Sequence, residues 1–136
     1  MIQWINTEGD SWEGLFKSKI LRDDEGGDEL SVYIEHYSIK DYAEKCIEAV
    51  NSLSDGTLKK LCKGFIKAAK ECGDAPEIND PLEILDYCWF TAVYINVPKN
   101  AKHLEYIVEG EGDWGDVIGF RMKDDKPVYI GVDYLT

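Results

Sequence analysis

Residues 38–69 read SIKDYAEKCIEAVNSLSDGTLKKLCKGFIKAA. Apolar side chains fall at Ile39, Tyr42, Ala43, Cys46, Ile47, Val50 and Leu53. Steps of three and four put them on one stripe of a helix. Ser38 is placed to cap its N-terminus, with Asp41 in the first turn. Ser54-Asp55-Gly56 ends that pattern and starts another, with Leu58, Leu61, Cys62, Phe65, Ile66 and Ala69 as its stripe and Gly73 as its stop. Two amphipathic helices joined by a short turn form an αα-hairpin whose apolar faces need a sheet to cover.

Strand patterns flank this hairpin. Upstream, Trp12–Leu21 carries Trp12, Phe16 and Ile20, and Asp23–Glu29 is a polar turn with Gly26-Gly27 at its centre. Leu30, Val32 and Ile34 then alternate with polar or amphipathic residues, the period of a half-buried strand. Downstream, Asp80-Pro81-Leu82-Glu83 starts a short third helix ending near Tyr87, with Asp as cap and Pro at the first position. Trp89–Val97 is rich in β-branched and aromatic residues and stops at Pro98. His103–Val108, Val117–Lys123 and Pro127–Val132 read as strands, the last two a hairpin through Lys123-Asp124-Asp125-Lys126. The predicted fold is α+β: one domain over residues 1–136, a mainly antiparallel sheet with the αα-hairpin and the short third helix packed on one face.

Charge narrows the function. The chain has 136 residues, with Lys+Arg 15 against Asp+Glu 27, a net charge of −12. Such a surface repels phosphates, which disfavours nucleic acid and anionic membranes as partners. Much of the surplus sits in two Gly-rich segments without Lys or Arg, Asp23–Glu29 and Glu109–Asp116. The N-terminus lacks the basic and apolar regions of a signal peptide, and no apolar run approaches the ~20 residues of a membrane span. A cytoplasmic protein is expected.

Catalytic and metal motifs are weak. The carboxylates at 109, 111 and 113 have the spacing that opens an EF-hand loop, but Trp114 stands where the loop needs Gly and Phe120 where it needs Glu. The segment reads instead as an acidic turn whose glycines supply unusual backbone angles. Trp114 within it is either packed over the sheet edge or exposed as an interface anchor. Cys46, Cys62, Cys72 and Cys88 form no C-x-x-C pair, and the first two and the last fall on apolar faces as reduced core fillers. His36 and His103 are the only histidines, and only His103 has a carboxylate, Glu105, on its own face. No nucleophile motif or phosphate loop accompanies them. No cofactor and no metal site is expected, and the chain reads as a non-enzyme.

Several features together carry a resemblance: Trp12 with Gly14, the Leu30–Ile34 strand, Tyr42 in a helical pair, Ile84-Leu85, Val93-Tyr94-Ile95, Trp114, Gly119 and Val128-Tyr129-Ile130-Gly131. From about Ser11 to Val132 the chain resembles a family of small bacterial α+β proteins of unknown function. Members often carry a Trp followed by a Glu-His-Gly turn. Here Gly115-Asp116-Val117-Ile118-Gly119 follows Trp114, without the His. Size and acidity are also similar, as a class, to immunity proteins of bacterial toxin systems.

The functional expectation is therefore an acidic, non-enzymatic binding protein, an immunity protein that neutralises a basic toxin. Its contact residues would be Glu109, Glu111, Asp113, Trp114 and Asp116, with Asp23, Asp24 and Glu25. The alternative is a small enzyme or small-molecule-binding domain with a pocket around His103 and Glu105, between sheet and helices. Lys59, Lys63, Lys67 and Lys70 share one helix face, which is a solvated face or meets the acidic loops of a second copy in a homodimer.

Overall fold

The computed structural model describes residues 1–132. Seven strands form one sheet in sequential order: β1 (Gln3–Asn6), β2 (Trp12–Lys17), β3 (Glu29–Ile34), β4 (Cys88–Ile95), β5 (Glu105–Gly112), β6 (Asp116–Lys123) and β7 (Lys126–Gly131). Every neighbouring pair is antiparallel except β3–β4, which is parallel. The expected α+β class, with a mainly antiparallel sheet, is what the chain adopts. The expected domain 1–136 includes residues 133–136, which lie outside the described residues.

The parallel pair follows from the connection. Helices α1 (Lys40–Val50) and α2 (Asp55–Glu71) and a 3₁₀ segment (Pro81–Tyr87) all lie between β3 and β4. A connection through helices returns the chain to the same end of the sheet, whereas hairpins reverse it. β1 was not foreseen, because its four residues carry no alternating run. It joins β2 through Gln3↔Leu15 and Trp4↔Gly14, and the Ile2 N–H donates to the Glu44 carboxylate of α1 at 3.0 Å.

The start of α1 differs from expectation. Tyr37–Ile39 forms a 3₁₀ turn, and His36, not Ser38, is its cap: His36 Nδ1 accepts the Ser38 N–H at 3.1 Å. Ser54 caps α2 as expected, accepting the Thr57 N–H at 3.2 Å. Asp80 caps the third segment by accepting the Leu82 N–H at 2.9 Å, but that segment is 3₁₀ throughout.

The helical stripes cover one sheet face. Leu30, Val32 and Ile34 of β3, Val93 and Ile95 of β4, and Ile118, Phe120 and Met122 of β6 share one core with Cys46, Ile47, Leu61 and Phe65 of the helices. Phe65, Phe90 and Phe120 meet at its centre with ring centroids 5.8–6.3 Å apart. Burying side chains of this kind contributes ~1.5–3 kcal/mol each. Cys46, Cys62 and Cys88 are buried in this core as free thiols, while Cys72 is exposed. Burial pushes the Cys46 and Cys88 thiols up to about 12 and Cys62 to about 11.

Candidate functional site

The two acidic segments come to the same end of the sheet. β2 ends and β3 begins there, β4 starts there, and β5 ends there. The loop after β2 meets β4 directly: the Phe90 N–H donates to the Arg22 carbonyl at 2.8 Å. On the other side of the same strand, the Asp113 N–H donates to the Tyr87 carbonyl at 2.9 Å. Asp23–Glu25 and Asp113–Asp116 thus flank the entry to β4 as one acidic rim.

The first part of the rim is a built loop. Asp23 Oδ1 accepts the N–H groups of Gly27 at 2.7 Å and Glu25 at 2.9 Å. The Arg22 guanidinium donates to the carbonyls of Ser18, Leu21 and Lys19. The loop's one arginine is therefore committed to its own backbone and leaves the acids' field standing. Asp24 and Glu25 are exposed, and Asp23 is half-buried. Among the described residues, no Lys or Arg side chain comes within 4 Å of the carboxylates of Asp23, Asp24, Glu25, Glu111, Asp113 or Asp116.

The second part differs from the expected turn. Glu109-Gly-Glu-Gly112 belongs to β5, with carboxylates on the helix-free face and glycines toward the core. A Cβ on Gly110 would lie 2.3 Å from the Trp89 carbonyl oxygen, and one on Gly112 would lie 2.3 Å from the Trp114 ring. These glycines answer crowding, not backbone angle. Only Gly115 fills the role foreseen, with φ +92° in the turn. Trp114 is 8% exposed and stacks over Gly112, so it is a packing residue and not an exposed anchor. Asp116 accepts from its own chain at Val117 N–H, 2.8 Å, and from the Cys72 thiol at 3.5 Å.

The helix-free face was not foreseen as a surface. Tyr33 of β3 and Tyr94 of β4 are register partners there, with rings stacked 5.2 Å apart at 15°. The Tyr94 hydroxyl donates to Glu109 Oε1 at 3.3 Å and the Thr91 hydroxyl to the same oxygen at 3.2 Å. Burial first, then the Glu109 charge, raises the Tyr94 hydroxyl's pKa above its ordinary value. Trp89 lies opposite Glu111 on the same face. The clue in the sequence was the pair of alternations Tyr33/Glu35 and Glu109/Glu111, read from their outward side.

His103 and Glu105 do not form the expected pocket. His103 Nδ1 lies 2.8 Å from Asp124 Oδ2, and the ring is 42% exposed. Asp124 is held below the ordinary carboxylate range, first by the Leu104 N–H and then by His103. The Glu105 N–H donates to the Tyr42 hydroxyl, which donates to the His103 carbonyl, each at 2.8 Å. The two residues are thus joined through backbone, not side chains. Glu105 lines a cavity of about 320 Å³ with Tyr94, Lys99, Ile107 and Arg121, and His103 is not part of its wall. Among the described residues, no three His, Cys, Asp or Glu side chains converge on a metal position, and no helix is long and apolar enough to cross a membrane.

The fold and rim define a class: a single, mainly antiparallel sheet with helices on one side, an acidic end, and stacked tyrosines on the other side. Residues 4–134 match the family described as Domain of unknown function (DUF6985), and the chain belongs to that family. No curated protein matches the chain, and no solved structure does.

Proposed function

We propose that this protein is a non-enzymatic binding protein that docks a basic protein through its acidic rim. In its most specific form the reading is an immunity protein, and the target a basic toxin of the nuclease kind. The observation that carries it is the meeting of Asp23–Glu25 and Glu111–Asp116 on either side of the start of β4. Segments nearly ninety positions apart in sequence act as one field there. A field of one sign, without paired cations, speeds encounter with a basic surface and rejects acidic ones. A toxin groove shaped for phosphates offers cations to such a rim.

The test compares three chains as baits in the native cells: the wild type, Glu111→Gln/Asp113→Asn/Asp116→Asn, and Asp23→Asn/Asp24→Asn/Glu25→Gln. A basic protein retained at low salt by the wild type, released by high salt and lost from both variants supports the reading. With that protein in hand, the association rate should fall about tenfold or more per triple variant at low salt. An unchanged rate and unchanged salt dependence would refute the rim as the contact.

A further inference from the structure

Positive charge is gathered on one side of α2. Lys59, Lys60, Lys63, Lys67 and Lys70 are five of the chain's 15 cations, and residues 59–70 hold no acid. All five are exposed. At about 100° per residue, Lys59, Lys63, Lys67 and Lys70 lie within about 80° of one another, on the side of the helix away from Leu61 and Phe65. Lys60 lies at their flank, where its charge acts on Asp125. Lys59–Lys63 and Lys63–Lys67 are four residues apart and Lys67–Lys70 three, spacings at which like charges weaken a helix. No carboxylate relieves them: among the described residues, Lys59, Lys63, Lys67 and Lys70 have no acidic oxygen within 4 Å. A chain with 27 acids thus keeps a self-repelling basic ridge, and such a ridge suits an acidic occupant.

The acidic rim has the dimensions of that occupant. At ~1.5 Å per residue, the ridge from Lys59 to Lys70 is roughly 16 Å long. The β2–β3 loop and the β5–β6 turn lie three strand spacings apart, roughly 14 Å. Asp24, Glu25 and Asp113 stand exposed on these two connections. Rim and ridge adjoin at the end of α2, where the Cys72 thiol meets Asp116 at 3.5 Å. They face different ways there: the rim tops the end of the sheet and the ridge backs the helix. One chain's lysines therefore make no ion pair with its own rim. Surfaces that adjoin at a corner can be exchanged by two copies about a twofold axis, each copy laying its rim on the other's ridge.

We propose that the lysine ridge of α2 docks the acidic rim of a second copy of this chain, in a reciprocal dimer. Each of the two contacts then gathers several ammonium and carboxylate groups into a network, whereas single exposed ion pairs count for little. The net charge of −12 opposes the approach of two copies at long range. At ~150 mM salt the Debye length is about 8 Å, so that repulsion is screened while groups in contact still attract. Dimerisation is therefore strongest at intermediate salt and weaker on either side of it. The dimer itself stands apart from the preceding reading. Its role as a cover that a basic partner must displace from the rim rests on that reading.

The test is the mass of the full-length chain by sedimentation equilibrium at about 100 μM protein, in ~20, ~150 and ~500 mM salt. A dimer is expected at ~150 mM, with a dissociation constant about tenfold or more higher at each of the other two salts. Asp24→Lys/Glu25→Lys/Asp113→Lys reverses the rim and Lys59→Glu/Lys63→Glu/Lys67→Glu the ridge, all at exposed side chains. Each variant alone should be a monomer. Mixed in equal amounts they restore both pairings, and a mixed dimer should form. Lys63→Glu mixed with Asp113→Lys makes the same exchange with one change per chain, and should dimerise more than either alone. A wild type that stays monomeric at every salt would overturn the proposal, as would variants that dimerise alone as it does, or mixtures that stay monomeric. Masses beyond a dimer would overturn the reciprocal contact in favour of an open chain. A monomer throughout leaves the capture of a basic protein by the rim to its own test, so the two readings fail separately.

Discussion

Adding the same methyl group at two glycines of α2 should change stability in opposite directions. Gly56, in the first turn, has nothing within 4 Å of where a Cβ would lie. Alanine there gains helix propensity and loses unfolded-chain entropy, about 0.5 kcal/mol near a helix end. Gly64 lies against β7, and its Cβ would sit 2.4 Å from Ile130 Cγ2 and 2.9 Å from Ile130 Cβ and Cδ1. Propensity favours alanine there by about 1 kcal/mol, but forcing an atom into a packed contact costs ~1–3 kcal/mol. Ile130 belongs to a strand with a register shift at its pairing and is half-buried, so it yields in part. The net expected for Gly64→Ala is a loss of about 1 kcal/mol. A melting temperature lower by about 4 °C would accompany it. Combining Gly64→Ala with Ile130→Ala removes the clashing methyls, so the alanine should regain most of its propensity, a coupling of about 1.5 kcal/mol. Urea unfolding of the four chains of this cycle, with Gly56→Ala as reference, measures it. If Gly64→Ala stabilises as Gly56→Ala does, or if its effect simply adds to that of Ile130→Ala, α2 does not rest on β7 as described.

Further outcomes follow from the thiols and one loop. In the folded chain, Ellman's reagent should modify one cysteine, Cys72, with the other three reacting only on unfolding; a Cys72→Ser chain that still reacts fast would contradict this. The folded pKa values of about 12 for Cys46, Cys88 and Tyr42 and about 11 for Cys62 lie above their ordinary values. Their stabilising contribution is full below pH 9 and is lost as pH rises from there toward 12. Urea midpoints should thus fall across that window, and Cys46→Ala/Cys62→Ala/Cys88→Ala should flatten the fall; an identical slope would be a refutation. Asn51 accepts the Lys19 N–H at 2.9 Å and donates to the Lys17 carbonyl at 3.0 Å, tying the exit of β2 to the end of α1. Asn51→Ala should cost ~1–2 kcal/mol by urea unfolding; no loss would mean the tie contributes nothing.

What the sequence made legible was local. The steps of three and four through Cys46, Ile47 and Val50, and through Leu61, Cys62 and Phe65, gave both helices because each stripe meets the core within its own segment. The alternation of Leu30, Val32 and Ile34 gave β3 for the same reason. The parallel pairing of Tyr33 with Tyr94 was not legible, since no local period encodes which strand is a neighbour across two helices. Glu109-Gly-Glu-Gly112 misled because glycine signals turns, whereas Gly110 and Gly112 are small here to admit the Trp89 carbonyl and the Trp114 ring. Trp114 could be read as exposed only while those glycines were read as a turn. The acids of the rim were visible one by one, but their convergence depends on the Arg22–Phe90 and Tyr87–Asp113 backbone contacts.

The single parallel seam has a consequence for the order of folding. On one side of it, β1 to β3 form a meander of near neighbours, and on the other side β4 to β7 form a second. Either can assemble by closing short loops. The pairing of Ser31–Ile34 with Ala92–Ile95 must close over everything between, residues 35–87. Closure of so long a span is slow and is rewarded only when α1 and α2 already lie on both halves. The helical hairpin is thus the template that brings the two halves of the sheet into register, and the seam should be the last part to form and the first to open.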